Sequence, residues 1–335
     1  MPRVIRPFAT LLLLVLPTAS AGRDIHVNNV SGDDGATGHH AETMPDRTGP
    51  VRTIARALRL AYGSDRVVVA NTGQVYRESI TLFGSRHSGT PAEPFVIDGN
   101  GSILDGSAPV PPEAWSHYRD STYRFRPLSA DYQQLFYAGR PLLRAFASRY
   151  ADVPPRLEPM RWCLHEGYVY FCAEPARRPQ DYGLGFAEKR VGITLFHVEH
   201  VQIANLVVQG FQLDGINAFN SARRVSLLAV TCRGNGRSGI TVGGASIVQI
   251  NNCLLGDNGA AQLLTEPWSQ TRVVQSRLLS NTAPAWVDQG GRVWIDGNPV
   301  QGGLDEWAPG ADKQPAPASP AVTALRPEPK AADKR

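Results

Sequence analysis

A period of 23 to 25 residues runs from Val191 to Val287, and it restricts the fold more than any other property of the chain. Val230–Val242 reads VTCRGNGRSGITV and Cys253–Thr265 reads CLLGDNGAAQLLT, each with an Asn-Gly pair inside a small polar turn. Set in rows, Val201, Val225, Val248 and Arg272 fall in one column and Ile203, Leu227, Ile250 and Val274 in the next. After a short break come Leu206, Val230, Cys253 and Arg277, then Val208, Cys232, Leu255 and Leu279. A longer turn leads to Ile193, Ile216, Ile240 and Leu263, with Leu195, Ala218, Val242 and Thr265 two places on.

Each row thus holds three short strands of period-2 alternation joined by turns of unequal length. One row cannot bury its own apolar face. Stacked about 4.8 Å apart, successive rows pair above and below and turn the columns into ladders of like residues. The break-turn pairs Ala204-Asn205 and Asn251-Asn252 suit a tight bend, because Asn tolerates the left-handed region. A leucine-rich repeat shares the period, but its L-x-x-L-x-L pattern is absent, and a propeller blade needs about 40 residues. The expected fold is all-β, a right-handed parallel β-helix.

Composition agrees with many turns. The 335 residues include 32 Gly and 26 Pro, and the length is ample for a large core. A net charge of +4 is too small to argue for nucleic acid or an anionic membrane. Only Lys189, Lys313, Lys330 and Lys334 are lysines, so the body's positive charge is almost all Arg. Genomic base composition accounts for such a bias, and Arg is also the side chain suited to bidentate carboxylate binding.

Arg3 and Arg6 precede an apolar run at Leu11–Leu16 that ends in Pro17 and Ala19-Ser20-Ala21. That pattern predicts a leader at 1–21 cleaved near Ala21, and a secreted or periplasmic protein. The run is too short to span a membrane, which takes about 20 apolar residues. From Pro309 the chain is rich in Pro, Ala and charge, so a disordered tail is expected over 309–335.

The chain resembles the pectate-lyase-like β-helix proteins. Besides the coils, IHVNNVSGDDGATG at Ile25–Gly38 and GPVRTIARALRLA at Gly49–Ala61 are similar to that family's first strand, acidic loop and capping helix. DRVVVANTGQVYRESITL at Asp65–Leu82 and PFVIDGNGSILDGS at Pro94–Ser107 look like its opening coils. The resemblance implies a cap and first coils over 22–110 and main coils over 191–308. It implies no single activity, since the family holds lyases, hydrolases, epimerases and proteins without known chemistry. Within the cap, Pro50 suits a first helical position, and Val51, Ile54, Leu58 and Ala61 share a face.

Between 111 and 190 the register is lost. This aromatic- and Arg-rich stretch carries hairpin signals at Ala138–Pro141 and His165–Tyr168, and reads as a β-rich insert packed on the coils. Cys163 and Cys172 flank the second hairpin, so a cross-strand disulfide is possible there. Cys232 and Cys253 sit two columns apart on neighbouring rows, about 8 Å between Cα atoms, and are expected as buried thiols.

In such folds ligands lie on the outer face of the strand after the longest turn, which points here to Thr194, Asn217, Thr241 and Leu264. The turn before that strand offers Gln212, Asp214, Arg233, Asn235, Arg237, Asp257, Asn258 and Gln262; the turn after it offers His197, His200, Asn220 and Glu266. Together they predict a shallow groove that follows a sugar chain. Asp214 and Arg237, almost one coil apart, are expected to meet. Two readings stand: Arg237 or Arg233 neutralises a uronate carboxylate while Asp214 or a His such as His197 takes a proton, or the pair is a surface ion pair worth little. Asn217, Thr241, Asn235, Asp257, Gln262 and Glu266 are then substrate-binding candidates. Hydrolysis by two carboxylates about 5–10 Å apart fits less well, since Asp214 and Asp257 are two coils apart.

Asp33, Asp34, His39, His40, Glu42 and Asp46 form an oxygen-rich loop where Ca²⁺ is possible, although no EF-hand spacing is present. Trp268, Trp286 and Trp294 either stack on sugar rings or cover the last coil. The expected function is binding, with lyase- or epimerase-type processing, of an acidic polysaccharide by a monomer. The alternative is a non-catalytic extracellular solenoid that binds glycan or protein, or is purely structural.

Overall fold

The computed structural model describes residues 22–147 and 151–303, so the expected leader and tail lie outside the described residues. Among the described residues the chain is mostly β. Two large sheets are parallel apart from one final reversed strand, and two four-stranded sheets are antiparallel.

The repeat builds both parallel sheets. In the first, Ile25, Val67, Ile97, Ile203, Leu227, Ile250, Val273 and Ile295 stand side by side on successive strands. In the second, Ile80, Ile193, Ile216, Ile240 and Leu263 form the equivalent ladder. All of these residues belong to one buried apolar cluster, so the two sheets share a core. Each such Leu, Ile or Val contributes about 1.5–3 kcal/mol of burial free energy. The corner residues Asn205, Ala229, Asn252 and Gln275 all have φ between 47° and 53°, so each row bends in the left-handed region.

The expected register needs correction in one row. Val248 pairs with Thr271 and Ile250 with Val273, rather than with Arg272 and Val274, and Leu255 pairs with Leu278 rather than Leu279. Because side chains alternate with period two, the expected register buried Arg272 and Arg277; shifting by one residue buries Thr271, Val273 and Leu278 and exposes both arginines.

The helix spans Ile54–Leu60 and starts later than Pro50 predicts. Thr53 is its N-cap, and its hydroxyl accepts from the Arg56 amide at 3.1 Å. Glu78 accepts from the Ile54 and Ala55 amides at 2.9 and 2.8 Å. Val51 instead bridges Val27 as extended chain. The predicted apolar face is nonetheless buried, with Ile54, Leu58 and Ala61 in the common core.

The insert leaves the stack after Asp105 and rejoins it before Ile193 without occupying a row. Phe95–Asp105 pairs directly with Glu199–Gln209, and Ile80–Phe83 with Ile193–Phe196. Both predicted hairpins are present, with Ala138-Gly139 and Glu166-Gly167 at positive φ as two-residue turns of this kind require. In the second hairpin Trp162 faces Phe171 and Cys163 faces Tyr170, which leaves Cys163 and Cys172 out of register with each other. All four cysteines are free and buried. Burial raises the thiols of Cys163 and Cys253 to about 11, in keeping with apolar packing rather than reactivity.

Candidate functional site

The long turns do not form the open polar groove that the sequence suggests. Asp214, Asn235, Thr241 and Gln262 are all at most 1% exposed, and Leu264 is covered as well. The reason lies in the backbone of the turns, whose polar groups must be satisfied once rows stack. Asn235 Oδ1 accepts from the Phe211 amide at 3.1 Å, and Asn258 Oδ1 accepts from the Asn235 amide at 3.0 Å. Asn258 Nδ2 donates to the Cys232 carbonyl at 3.1 Å and to Gln262 Oε1 at 2.8 Å. The repeated Asn is therefore an internal amide ladder.

The glycine that follows each Asn serves another purpose. A Cβ on Gly236 would stand 1.7 Å from the Tyr132 carbonyl oxygen, and one on Gly259 would stand 2.5 Å from Gln134 Nε2. The insert segment 129–141 lies directly on these turns, and Gln212 Nε2 ties it down through Ser129 Oγ and the Asp131 carbonyl, each at 2.7 Å.

Asp214 and Arg237 meet as expected. Arg237 donates from Nε to Oδ1 at 2.9 Å and from Nη2 to Oδ2 at 2.5 Å. Ser238 and Thr241 hydroxyls and the Asn217 amide complete the carboxylate's shell at 2.9, 3.0 and 2.8 Å. The Asp214 hydrogen bond holds the guanidinium pKa above its ordinary value, against the effect of burial. Glu266 lies nearby over Gly243, and its charge acts on Arg237 in the same direction. His197 is exposed on the following turn, its Nε2 3.1 Å from Asn220 Nδ2, away from the pair.

Sequence reasoning missed one cavity that the insert helps to form. Between the turns and the insert hairpin lies a cleft of about 520 Å³. Its coil side presents Asp105, Gln209, Arg233, Asp257 and Asn281; its insert side presents Phe136, Arg140, Arg144 and Phe146. Asp105, Gln209 and Arg233 occupy one register position on three successive strands, with Gly256 next in line and Asp257 just beyond it. A hydrogen-bonded chain links them. Arg233 Nε donates to Gln209 Oε1 at 2.9 Å, and Gln209 Nε2 donates to Asp105 Oδ2 at 2.8 Å. Asp257 Oδ1 accepts from Asn281 Nδ2 at 2.6 Å. Burial lowers the Arg233 pKa and the Arg140 charge adds to this, while Asp257 and Asp105 oppose it. Three guanidinium groups thus face two carboxylates in one cleft. Three strand spacings, about 14 Å, separate the backbones that carry Asp105 and Asp257.

Three further aromatic residues went unremarked. Phe83, Phe196 and Phe219 share one outer column of the second sheet, and Phe83 and Phe219 are about half exposed. Of the three tryptophans, Trp268 is exposed, whereas Trp286 is buried and donates to Thr265 Oγ1 at 2.8 Å. Within the acidic loop, Asp34 is occupied by the start of the helix, accepting from the Arg52 and Thr53 amides at 2.9 Å. No cluster of three or more His, Cys, Asp or Glu suited to a metal occurs among the described residues. No helix among them is long and apolar enough to cross a membrane.

No protein-family model matches the chain, and no curated protein matches it in sequence. Among solved structures, a protein described as a glycoside hydrolase shares the fold at a TM-score of 0.55 and 11% identity, over 76% of this chain and 73% of that one. Two weaker likenesses are to XylC in complex with xylose and to a lacto-N-biosidase from Eubacterium ramulus. The first has a TM-score of 0.42 and 12% identity over 81% of this chain and 69% of that one. The second has a TM-score of 0.38 and 12% identity over 76% of this chain and 43% of that one.

Proposed function

We propose that the chain binds an acidic glycan in the cleft between insert and coils and acts on it by β-elimination or C5 epimerisation. The observation that carries the reading is the grouping of Arg140, Arg144 and Arg233 around two carboxylates already engaged by amides. Arg233 holds the uronate carboxylate and draws charge from C5, which makes the C5 proton acidic. Asp257, half-buried on the next coil, takes that proton. In elimination the C4–C5 double bond then forms, the bond from C4 to the glycosidic oxygen breaks, and that oxygen leaves with a proton from water. Asp214 braces Arg237 in this reading rather than acting as base, because its acceptor positions are filled. The same reading takes the stacked rows as a right-handed solenoid and places the protein outside the cytoplasm as a monomer after loss of its leader.

One observation favours a binding-only role instead: both cleft carboxylates already accept hydrogen bonds, Asp105 from Gln209 and the Ser107 amide and Asp257 from Asn281. Hydrolysis through paired carboxylates needs them about 5–10 Å apart, and the strands carrying Asp105 and Asp257 lie farther apart than this. The test is incubation with pectins, alginates and glycosaminoglycans, with and without Ca²⁺, scoring unsaturated uronates and new reducing ends separately. Unsaturated product that disappears in Asp257→Asn and Arg233→Ala supports the lyase reading. Binding without product leaves the non-catalytic one, and absence of both binding and product rejects the glycan reading.

A further inference from the structure

We propose that Arg144 of the insert is a second carboxylate contact in the cleft, so that the ligand carries carboxylates on more than one sugar: a polyuronate segment rather than an isolated acidic residue. This rests on the reading of the cleft given above.

Arg144 is held by its neighbours rather than by a counter-ion. Its backbone bridges that of Trp162, the Ala145 amide donating to the Trp162 carbonyl at 2.7 Å. Its guanidinium carbon lies 5.2 Å from the Trp162 ring and 5.3 Å from the Phe146 ring. Trp162 is fully buried and fixed by its own hydrogen bond from Nε1 to the Leu142 carbonyl at 2.9 Å, so it cannot turn aside. Phe146 is 74% exposed beside it.

Arg144 Nε is buried without a hydrogen-bond partner, and no ion pair to this residue occurs among the described residues. Elsewhere Arg23, Arg66 and Arg237 each have an aspartate. A partly buried guanidinium with no carboxylate partner and one N–H unsatisfied is a cost that an incoming anion at its remaining N–H groups would offset. Its aromatic neighbours leave the in-plane N–H fork as the means of contact, and that fork matches a planar carboxylate bidentately.

The cleft's own acids do not fill this place. Asp105 serves Gln209 and the Ser107 amide, and Asp257 serves Asn281. Arg233 meets a first carboxylate on the coil side and Arg144 a second on the insert side. Phe146 offers its exposed ring to the apolar face of a sugar between them.

The test compares a single galacturonate with a longer oligogalacturonate, measuring affinity calorimetrically for the wild type, Arg144→Gln, Arg144→Lys and Arg233→Ala. Loss of one charge-assisted contact weakens the oligomer about ten-fold in Arg144→Gln. Weak binding of the single galacturonate, which uses Arg233, stays unchanged in that variant. Arg144→Lys, which retains charge and a long stem but lacks the fork, shows the same selective loss and carries the test if Arg144→Gln unfolds. Arg233→Ala weakens both ligands. Wild-type affinity for the oligomer in both Arg144 variants overturns the inference, as does equal loss for the two ligands. A sulfated neutral glycan bound as tightly, with the same dependence on Arg144, overturns the carboxylate assignment. Failure of the wild type to bind any acidic glycan is a separate result, which removes the underlying reading of the cleft.

Discussion

Asp214 on one coil and Arg237 on the next are joined through two parallel hydrogen bonds, and the carboxylate is wholly buried. With Ser238, Thr241 and Asn217 also donating to it, Asp214 locks two neighbouring strands together at the entry to the second sheet. Arg237→Ala leaves that charge buried without its counter-ion and is expected to cost about 3–5 kcal/mol. Denaturant unfolding checks this. A variant with wild-type stability and no glycan-directed activity would instead assign Arg237 to the chemistry.

The amide ladder gives a second expectation. Asn258→Ala strands the Asn235 amide and the Cys232 carbonyl, both deep between rows. The expected loss is about 3 kcal/mol, measured as a lower denaturant midpoint. Asp257→Asn, one residue away but facing the cleft, is expected to leave that midpoint almost unmoved.

The corrected register makes a stabilising substitution identifiable. Thr271 stands between Val248 and Val293 in an otherwise apolar column, and its buried hydroxyl has no hydrogen-bond partner. Thr271→Val keeps the shape and removes the unsatisfied oxygen. It should add about 1 kcal/mol and raise Tm by about 2–4 °C. A fall in Tm would show that the hydroxyl is satisfied in solution.

His87 links the helix to the coils. Its Nδ1 accepts from the Phe83 amide at 3.0 Å and its Nε2 lies 2.9 Å from the Leu58 carbonyl, so the neutral tautomer with a proton on Nε2 satisfies both. Burial lowers its pKa below the usual histidine value. Between that lowered pKa and about 6.5 the unfolded chain binds a proton that the folded chain does not. Stability therefore falls as pH drops through this window. His87→Gln flattens that part of the pH–stability profile, leaving the loss below about pH 5 to carboxylates such as Asp65 and Asp98, whose pKa values are lowered. An identical slope in the variant would contradict the assignment.

What could be read from the chain alone was whatever obeys the repeat. Ile193, Ile216, Ile240 and Leu263 are neighbours because identical rows bury identical positions, and the spacing of 23 residues brought Asp214 to Arg237 for the same reason. Arg272 was misplaced because a one-residue slip is invisible to a period but decisive for burial. Burial of Asn235, Asn258 and Gln262 was not legible either: a polar turn residue looks the same whether it meets water or the backbone of the next row. The cleft was least accessible of all. Arg140 and Arg144 lie outside the repeat, and nothing in their local sequence says that they face Arg233.

Among the described residues the last strand of the first sheet, Asn298–Val300, runs opposite to its neighbour Arg292–Ile295 and sets Pro299 against Trp294. Every earlier strand on the main path of that sheet offers its successor an edge of matching polarity. This one presents a reversed edge, with one donor missing at the proline. A further row running in the direction of the others would meet it antiparallel rather than parallel. Among the described residues, then, the first sheet closes on a strand that reverses the direction of its rows, and the edge it turns outward is not the edge those rows use to pair with one another.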